Sequence, residues 1–110
     1  MIGYLTESEL IGNNYLDEAL ENYLVYGLEP GGFLTSVLAN DLRLAIGRAD
    51  HWNRDNLPRI VEAITYSVPE LAWGSYQRVR DWCKDKDSYR SKWVEFKREQ
   101  LIIRKLENSH

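Results

Sequence analysis

The sequence predicts an all-α protein, a compact bundle of four to five helices around a central helix at about 33–48. Apolar residues recur at intervals of three and four, which is the spacing of one helix face. No segment alternates apolar and polar residues as a half-buried strand does, and the connections are short, as bundles prefer. We therefore treat 1–110 as one helical domain, with its core in 14–84 and a long C-terminal helix at about 89–107.

The first main helix is predicted at about 14–26. Its apolar stripe comprises Tyr15, Leu16, Ala19, Leu20, Tyr23 and Leu24. Gly27 provides the stop, because glycine adopts the left-handed conformation that often follows a helix. Upstream, Thr6 to Glu9 has the S/T-x-x-E spacing of a capping box, which indicates a short helical turn before this helix.

The central helix follows a turn at Glu29 to Gly32, where proline fixes one φ and the glycines can take positive values. Its main face comprises Phe33, Leu34, Val37, Leu38, Leu42, Ala45 and Ile46. Leu44 projects away from this face. A helix that is apolar on more than one side is usually surrounded by others, which is why we place it at the centre.

Three further helices are expected, at about 57–67, 76–84 and 89–107. Pro58 suits the first turn of its helix, where its missing N–H costs nothing. Ser75 is a good N-cap for the next helix. Asp50 is expected to cap the polar segment 51–56, as a turn or short helical piece.

Charge is divided unevenly along the chain. Residues 1–42 hold seven acidic residues and no Lys or Arg, whereas all fourteen basic residues lie in 43–110 beside ten acidic ones. Either the two halves face each other within the domain and cancel, or opposite poles organise association with a partner.

The cysteine count and the apolar runs indicate where the protein works. Cys83 is the only cysteine, so no internal disulfide forms and a reducing compartment fits best. The start, MIGYLTESEL, lacks the pattern of a signal peptide, and no apolar run approaches the roughly 20 residues that span a bilayer. We expect a cytoplasmic protein without a membrane partner.

No catalytic or metal motif stands out. His51 lies between Asp50 and Asp55, too few ligands for zinc, and His110 ends the sequence. Cys83 has no base beside it in sequence and is expected to be a half-buried thiol. We expect no enzyme activity and no cofactor.

The last helix carries the most specific surface signal. We expect its apolar stripe to face the core; it comprises Tyr89, Trp93, Phe96, Ile103 and Leu106. The opposite, basic face also contains two apolar residues, which a purely solvated surface would not need. It is the predicted protein-contact face, with Arg90, Val94, Lys97, Arg98, Leu101 and Arg104. Alternatively, Val94 and Leu101 pack under the stems of the basic side chains.

A second predicted contact patch is Asp50, His51 and Trp52, at the end of a polar cluster that begins at Asn40. The alternative for this cluster is structural. Its side chains would then form helix-end hydrogen bonds and ion pairs, with Arg48 at a helix C-terminus.

Two other partners stay open. Segment 76–105 has ten basic and five acidic residues interleaved with aromatic rings, a pattern that suits nucleic-acid binding. The interspersed acids and a pI near 5.4 count against it. A structural homo-oligomer is the third possibility, with Val94 and Leu101 pairing between subunits.

One interrupted pattern resembles a group of small phage and prophage proteins. It runs through Gly27, Pro30-Gly31, Phe33-Leu34, Val37-Leu38, Asn40-Asp41-Leu42, Ala45, Arg48-Ala49-Asp50 and Asn53, followed by Trp73-Gly74-Ser75 and Val79. The resemblance covers roughly 22–83 and implies a phage origin, without a mechanism. The long basic helix after Ser88 lies beyond the shared pattern.

A phage origin implies a function by analogy of setting, because small acidic helical phage proteins often bind a host protein. We therefore expect a non-enzymatic phage-derived protein that binds a host protein. Inhibition of a defence system such as CRISPR or restriction is one expected outcome, and redirection of the target is another.

Overall fold

A computed structural model describes residues 4–5 and 9–107. In this part of the chain seven α-helices follow one another without a strand, which confirms the all-α prediction. They are α1 (Asn14–Tyr26), α2 (Gly32–Leu38), α3 (Leu42–Arg48), α4 (His51–Asp55), α5 (Leu57–Ser67), α6 (Tyr76–Cys83) and α7 (Tyr89–Glu107). Among the described helices, none is both long and apolar enough to cross a bilayer. The capping box predicted at Thr6 to Glu9 falls, except for Glu9, outside the described residues.

α1 begins and ends where local sequence chemistry predicts. The Asn13 side chain accepts a hydrogen bond from the Leu16 amide and so caps the first turn. Gly27 takes the left-handed conformation, with φ 69°, and its amide donates to the Tyr23 carbonyl at 3.0 Å.

The predicted helix at 33–48 is two helices. Asn40 has a φ of 62°, a left-handed conformation that asparagine tolerates better than most residues. The Asp41 carboxylate then accepts a hydrogen bond from the Leu44 amide at 3.2 Å and caps α3. Because of this break, α3 folds back to pack on α2. Arg48 fastens the pair by donating to the Gly32 carbonyl and to Ser36 Oγ.

The later helices lie close to their predicted bounds. The Asp50 carboxylate accepts from the Asn53 amide at 2.7 Å, and Ser75 Oγ accepts from the Arg78 amide at 3.1 Å, so both predicted caps are confirmed. Segment 51–56 is mostly helical, as α4. Short 3₁₀ turns at Glu70–Ala72 and Lys86–Ser88 precede α6 and α7.

The core lies among α1, α2, α5 and α6. Its fully buried members include Ile11, Leu20, Tyr23, Leu24, Leu34, Leu38, Ile60 and Ile64. Tyr23 also makes polar contacts here: its hydroxyl donates to the Ala72 carbonyl at 2.6 Å, and its own carbonyl accepts from Trp82 Nε1 at 3.2 Å. Burial raises the pKa of the Tyr23 hydroxyl far above its ordinary value. These bonds satisfy polar groups that burial would otherwise penalise.

Two carboxylates from the acidic first part of the chain accept backbone hydrogen bonds inside the fold. Asp17 is buried and accepts hydrogen bonds from the Ile11 and Gly12 amides. Glu21 is buried and accepts from the Tyr4 amide at 2.8 Å. Both carboxylates on α1 therefore hold the segment that precedes the helix, which accounts for part of the charge asymmetry by internal structure.

Candidate protein-contact surfaces

α7 lies on α1 with its predicted contact face turned inward. Arg90 Nε donates to the Trp82 carbonyl at 3.1 Å, and its Nη1 donates to the Val25 carbonyl at 3.3 Å. Val94 and Leu101 are half-buried on the same side. Four of the six predicted contact residues on this face are therefore half-buried rather than exposed, namely Arg90, Val94, Lys97 and Leu101, whereas Arg98 and Arg104 are exposed.

Lys97 shows why the basic face packs inward. Its Nζ lies 3.0 Å from a carboxylate oxygen of Glu9 and 5.7 Å from the centre of the Trp93 ring. Trp93 in turn packs edge-on against Trp82, with ring centres 6.1 Å apart. Arg98 Nε donates to the Tyr4 hydroxyl at 3.0 Å, and this bond raises the pKa of the guanidinium. The basic side chains thus hold the N-terminal segment against the last helix.

These contacts also weaken the nucleic-acid interpretation. Trp82 is buried, Trp93 is half-buried against it, and the Tyr76 hydroxyl is bonded to Asp41. Of the aromatic residues that alternate with basic ones in segment 76–105, namely Tyr76, Trp82, Tyr89 and Trp93, it is Tyr89 that remains substantially exposed.

The outer edge of α7 is apolar. Phe96 is 54% exposed, Ile103 48% and Tyr89 43%, and we call these three residues the α7 stripe. They were predicted to face the core with Trp93 and Leu106, but Trp93 is the member of that set that packs against the core, and Leu106 is exposed as well. Arg90 reaches α1 instead, through its bond to the Val25 carbonyl, and Lys97 lies half-buried over the Trp93 ring while its charge pairs with Glu9.

A second exposed apolar surface lies on α3, and it was not predicted from the sequence as a contact site. α3 buries Ala45 but leaves Leu42 63%, Leu44 40% and Ile46 39% exposed, and we call these three residues the α3 ridge. A seven-residue helix at the surface cannot bury apolar residues on all of its sides. The signal was the position of Leu44, which projects away from the main apolar face.

A shallow apolar cleft of about 50 Å³ runs between α3 and α5. It is lined by Val37, Asn40, Asp41, Leu42, Ala45, Leu57, Val61, Ile64 and Trp73. Val61 is partly exposed at its edge. The cleft therefore continues the apolar surface of the α3 ridge toward α5.

The corner beside this cleft brings together two segments, around Asp41 and Gly74, that lie far apart in the sequence pattern described above. The Gly74 amide donates to the Leu38 carbonyl at 2.7 Å, and the Tyr76 hydroxyl donates to Asp41 Oδ2 at 2.6 Å. This second bond lowers the pKa of Asp41 and raises that of Tyr76. The polar residues of the pattern thus cap helices and fix turns, as the structural alternative predicted.

The predicted patch of Asp50, His51 and Trp52 directly follows α3. Asp50 and His51 are exposed, whereas Trp52 is half-buried and packs against the core. The Asp50 carboxylate caps α4 by accepting a hydrogen bond from the Asn53 amide. This patch adjoins the α3 ridge in sequence and adds an exposed imidazole beside it.

The fold also fixes the surroundings of the side chains that could hold a metal ion or act as a nucleophile. Within 4–5 and 9–107, no cluster of three or more His, Cys, Asp or Glu residues is arranged to hold a metal ion. Cys83 is half-buried, and burial together with the nearby Glu29 raises the pKa of its thiol. A raised pKa disfavours the thiolate, which is the nucleophilic form.

No protein-family model, curated protein or solved structure matches this chain.

Proposed function

We propose that this protein is a non-enzymatic binding module that docks on another protein through the α3 ridge. The observation that carries the proposal is the exposure of three large aliphatic side chains on one seven-residue helix. Single exposed apolar residues are ordinary, but Leu42 and Ile46 lie one turn apart on one side of α3, and Leu42 also lines the adjoining apolar cleft. An apolar surface of this kind is typical of an interaction site.

The charges around the ridge indicate what the partner presents. Arg43 is exposed between Leu42 and Leu44, and the adjoining cleft can receive an apolar side chain. A complementary partner surface has an apolar centre with acidic groups at its rim, as protein interfaces commonly combine the two.

The phage-like pattern supports a host protein as the partner. Leu42 and Ala45 of that pattern lie on α3, and the bonds at Asp41 and Gly74 fix the corner from which α3 leaves α2. On this proposal the protein acts in the host cytoplasm, and binding inhibits its target. A defence complex such as a CRISPR or restriction system is the target class that the setting favours.

Capture from a host lysate tests the proposal. The chain serves as bait at about 1 μM beside Leu42→Asp and Phe96→Asp variants, and captured proteins are identified by mass spectrometry. The captured partner is then purified and titrated against each variant by calorimetry. We expect Leu42→Asp to weaken binding at least 10-fold, which is about 1.4 kcal/mol, because the change removes a central apolar contact and places an unpaired carboxylate in the interface.

The matched control is Phe96→Asp, which places the same charge at a similarly exposed site on α7. It should bind the partner as tightly as the unmodified chain does. Equal affinity of the Leu42→Asp variant for the partner, or a lysate from which no protein is specifically captured, contradicts the proposal.

A further inference from the structure

An open groove lies between α1 and α7, on the side of α7 that was predicted from the sequence to contact a protein. It has a volume of about 410 Å³ and is lined by Val25, Arg90, Ser91, Val94, Glu95 and Arg98. Three of the six predicted contact residues on α7 therefore line one groove, namely Arg90, Val94 and Arg98. They are four residues apart, so they follow one side of the helix with the apolar residue between the two cations.

Neither arginine of the groove forms an ion pair with a carboxylate of the described residues. Arg90 is half-buried and donates to the Trp82 and Val25 carbonyls. Arg98 donates to the Tyr4 hydroxyl. These acceptors are neutral, and they use a minority of the five N–H groups that each guanidinium presents. A partly desolvated cation without a counter-ion is unfavourable, so an anion that enters the groove would be stabilised there.

The carboxylates near the groove leave it with a positive charge. Glu95 is the acidic residue among those that line it, and it is exposed. Asp85 does not line the groove, and although its charge interacts with Arg90, its carboxylate accepts hydrogen bonds from the Ser91 amide and hydroxyl. Among the lining residues, two guanidiniums are therefore opposed by one exposed carboxylate.

The apolar residue between the arginines favours a peptide over a phosphate backbone as the occupant. Val94 is half-buried and lines the groove together with the buried Val25. Positions four apart on a helix are separated by about 6 Å, and alternate residues of an extended chain by about 6.6 Å on the same side. Two acidic side chains that flank an apolar one at alternate positions therefore match Arg90, Val94 and Arg98 in spacing.

We propose that this groove binds an extended acidic segment of another protein, in which two carboxylate side chains flank an apolar side chain at alternate positions. The carboxylates pair with Arg90 and Arg98, and the apolar side chain packs on Val94. Arginine suits this contact because its planar guanidinium can bind a carboxylate through two parallel hydrogen bonds. The groove shares no residue with the α3 ridge, so the two surfaces can be tested independently.

A blocked heptapeptide, acetyl-Gly-Glu-Ala-Leu-Ala-Glu-Gly-amide, is the probe. It is titrated to about 2 mM into the ¹⁵N-labelled chain at low salt, and the amide resonances are followed by NMR. We expect saturable shifts at Ser91, Val94 and Arg98 with a dissociation constant on the order of 0.1–1 mM, because the contact is much smaller than a standard interface. A peptide with glutamine in place of both glutamates should not bind. A peptide with glycine in place of leucine should bind at least 3-fold more weakly.

Three charge variants test the assignment of the groove. Arg98→Gln should weaken peptide binding at least 5-fold, with unchanged circular dichroism because Arg98 is exposed. The matched control is Arg104→Gln, which removes the same charge from an exposed site on α7 outside the groove and should change the affinity less than 2-fold. Glu95→Gln removes the opposing carboxylate and should strengthen binding about 2- to 5-fold.

A fourth variant separates contact with the peptide from support of the fold. Tyr4→Phe removes the hydroxyl to which Arg98 donates, and it leaves the guanidinium in place. It should not weaken peptide binding. Equal weakening by Tyr4→Phe and Arg98→Gln would mean that Arg98 acts by holding the start of the chain, and it would contradict the proposal.

Three further results overturn the proposal. They are the absence of saturable shifts up to about 2 mM peptide, equal affinity of Arg98→Gln and the unmodified chain, and equal losses in Arg98→Gln and Arg104→Gln. A single-stranded oligonucleotide is the competing probe. If it binds more tightly than the peptide and loses affinity in Arg98→Gln, the groove belongs to nucleic acid instead.

Discussion

α1 and α7 are the longest helices of the described chain, and they are held in place by different means. The thirteen residues of α1 include seven that are buried, among them Leu20, Tyr23 and two carboxylates. The nineteen residues of α7 include none that is fully buried. α7 is secured by the half-buried Trp93 and by the polar ends of Arg90 and Lys97.

This difference shows that the length of a helix does not indicate its share of the stability. Each large apolar side chain buried on α1 contributes about 1.5–3 kcal/mol, whereas exposed side chains contribute little. Most helical stability in proteins comes from packing rather than from propensity. We conclude that α1 contributes more to the core than α7 does, and that α7 is docked on the core with an apolar side left exposed.

Truncation of one residue on each helix should give the largest contrast. Leu20→Ala should lower the free energy of unfolding by about 2–5 kcal/mol, because Leu20 is fully buried and a cavity remains. Phe96→Ala should change it by less than about 0.5 kcal/mol, since the ring is exposed. Urea denaturation measures both. Equal losses of unfolding free energy in the two variants would contradict the difference between α1 and α7.

The junction between the helices should give a smaller effect. Gly27→Ala places a Cβ in a left-handed conformation, 2.8 Å from the Cys83 carbonyl oxygen and 2.8 Å from Arg90 Cζ. The backbone strain alone costs about 1–2 kcal/mol, and displacement of Arg90 should bring the loss above about 2 kcal/mol.

A double-mutant cycle separates these two contributions. In an Arg90→Ala background the cost of Gly27→Ala should fall, because the displaced side chain is gone. The same cost in both backgrounds would mean that the end of α1 does not depend on how α7 is docked. Urea midpoints at constant slope provide the measurement.

The smallest effect should appear in acid, at the start of α7. Hydrogen bonds from the Ser91 hydroxyl and amide hold the pKa of Asp85 below its ordinary value of 3.8. A carboxylate with a lowered pKa stabilises the fold above its unfolded pKa and loses that contribution as the pH falls through the folded value. The stability advantage of the unmodified chain over Asp85→Asn should therefore be present at pH 7 and shrink below pH 3.8.

Thermal unfolding at stepwise lower pH measures this difference. Hydrogen exchange at pH 7 is the spatial control, because Asp85→Asn should speed exchange of amides in the first turns of α7 and leave α1 unchanged. A stability difference that stays constant down to the acid limit would contradict the role assigned to Asp85.

Sequence predicted the helix ends well because they depend on neighbouring residues. Gly27, Asp50 and Ser75 act within one turn of their positions, so their roles are readable without the fold. The break at Asn40 was also local, since asparagine tolerates a left-handed turn and Asp41 is a good cap. It was missed because the apolar periodicity continues across it.

The orientation of α7 could not be predicted in this way. Apolar spacing assigns Phe96 and Ile103 to the core, whereas Arg90 turns inward because it finds the Val25 carbonyl, 65 residues earlier in the chain. Periodicity contains no information about such distant acceptors. The α3 ridge was difficult to predict for the same reason, because its exposure depends on the neighbour against which α3 folds back.

The pairing of Glu9 with Lys97 also has a consequence for the order of folding. These residues are 88 positions apart, so the contact cannot form until α7 has been synthesised and has folded onto α1. At about 5–20 residues per second, Lys97 and Arg98 are synthesised roughly 4–19 s after Glu9 and Tyr4, their partners at the start of the chain. During translation the bonds that Asp17 and Glu21 make to this segment can form first, and docking of the last helix then adds the contacts to Lys97 and Arg98.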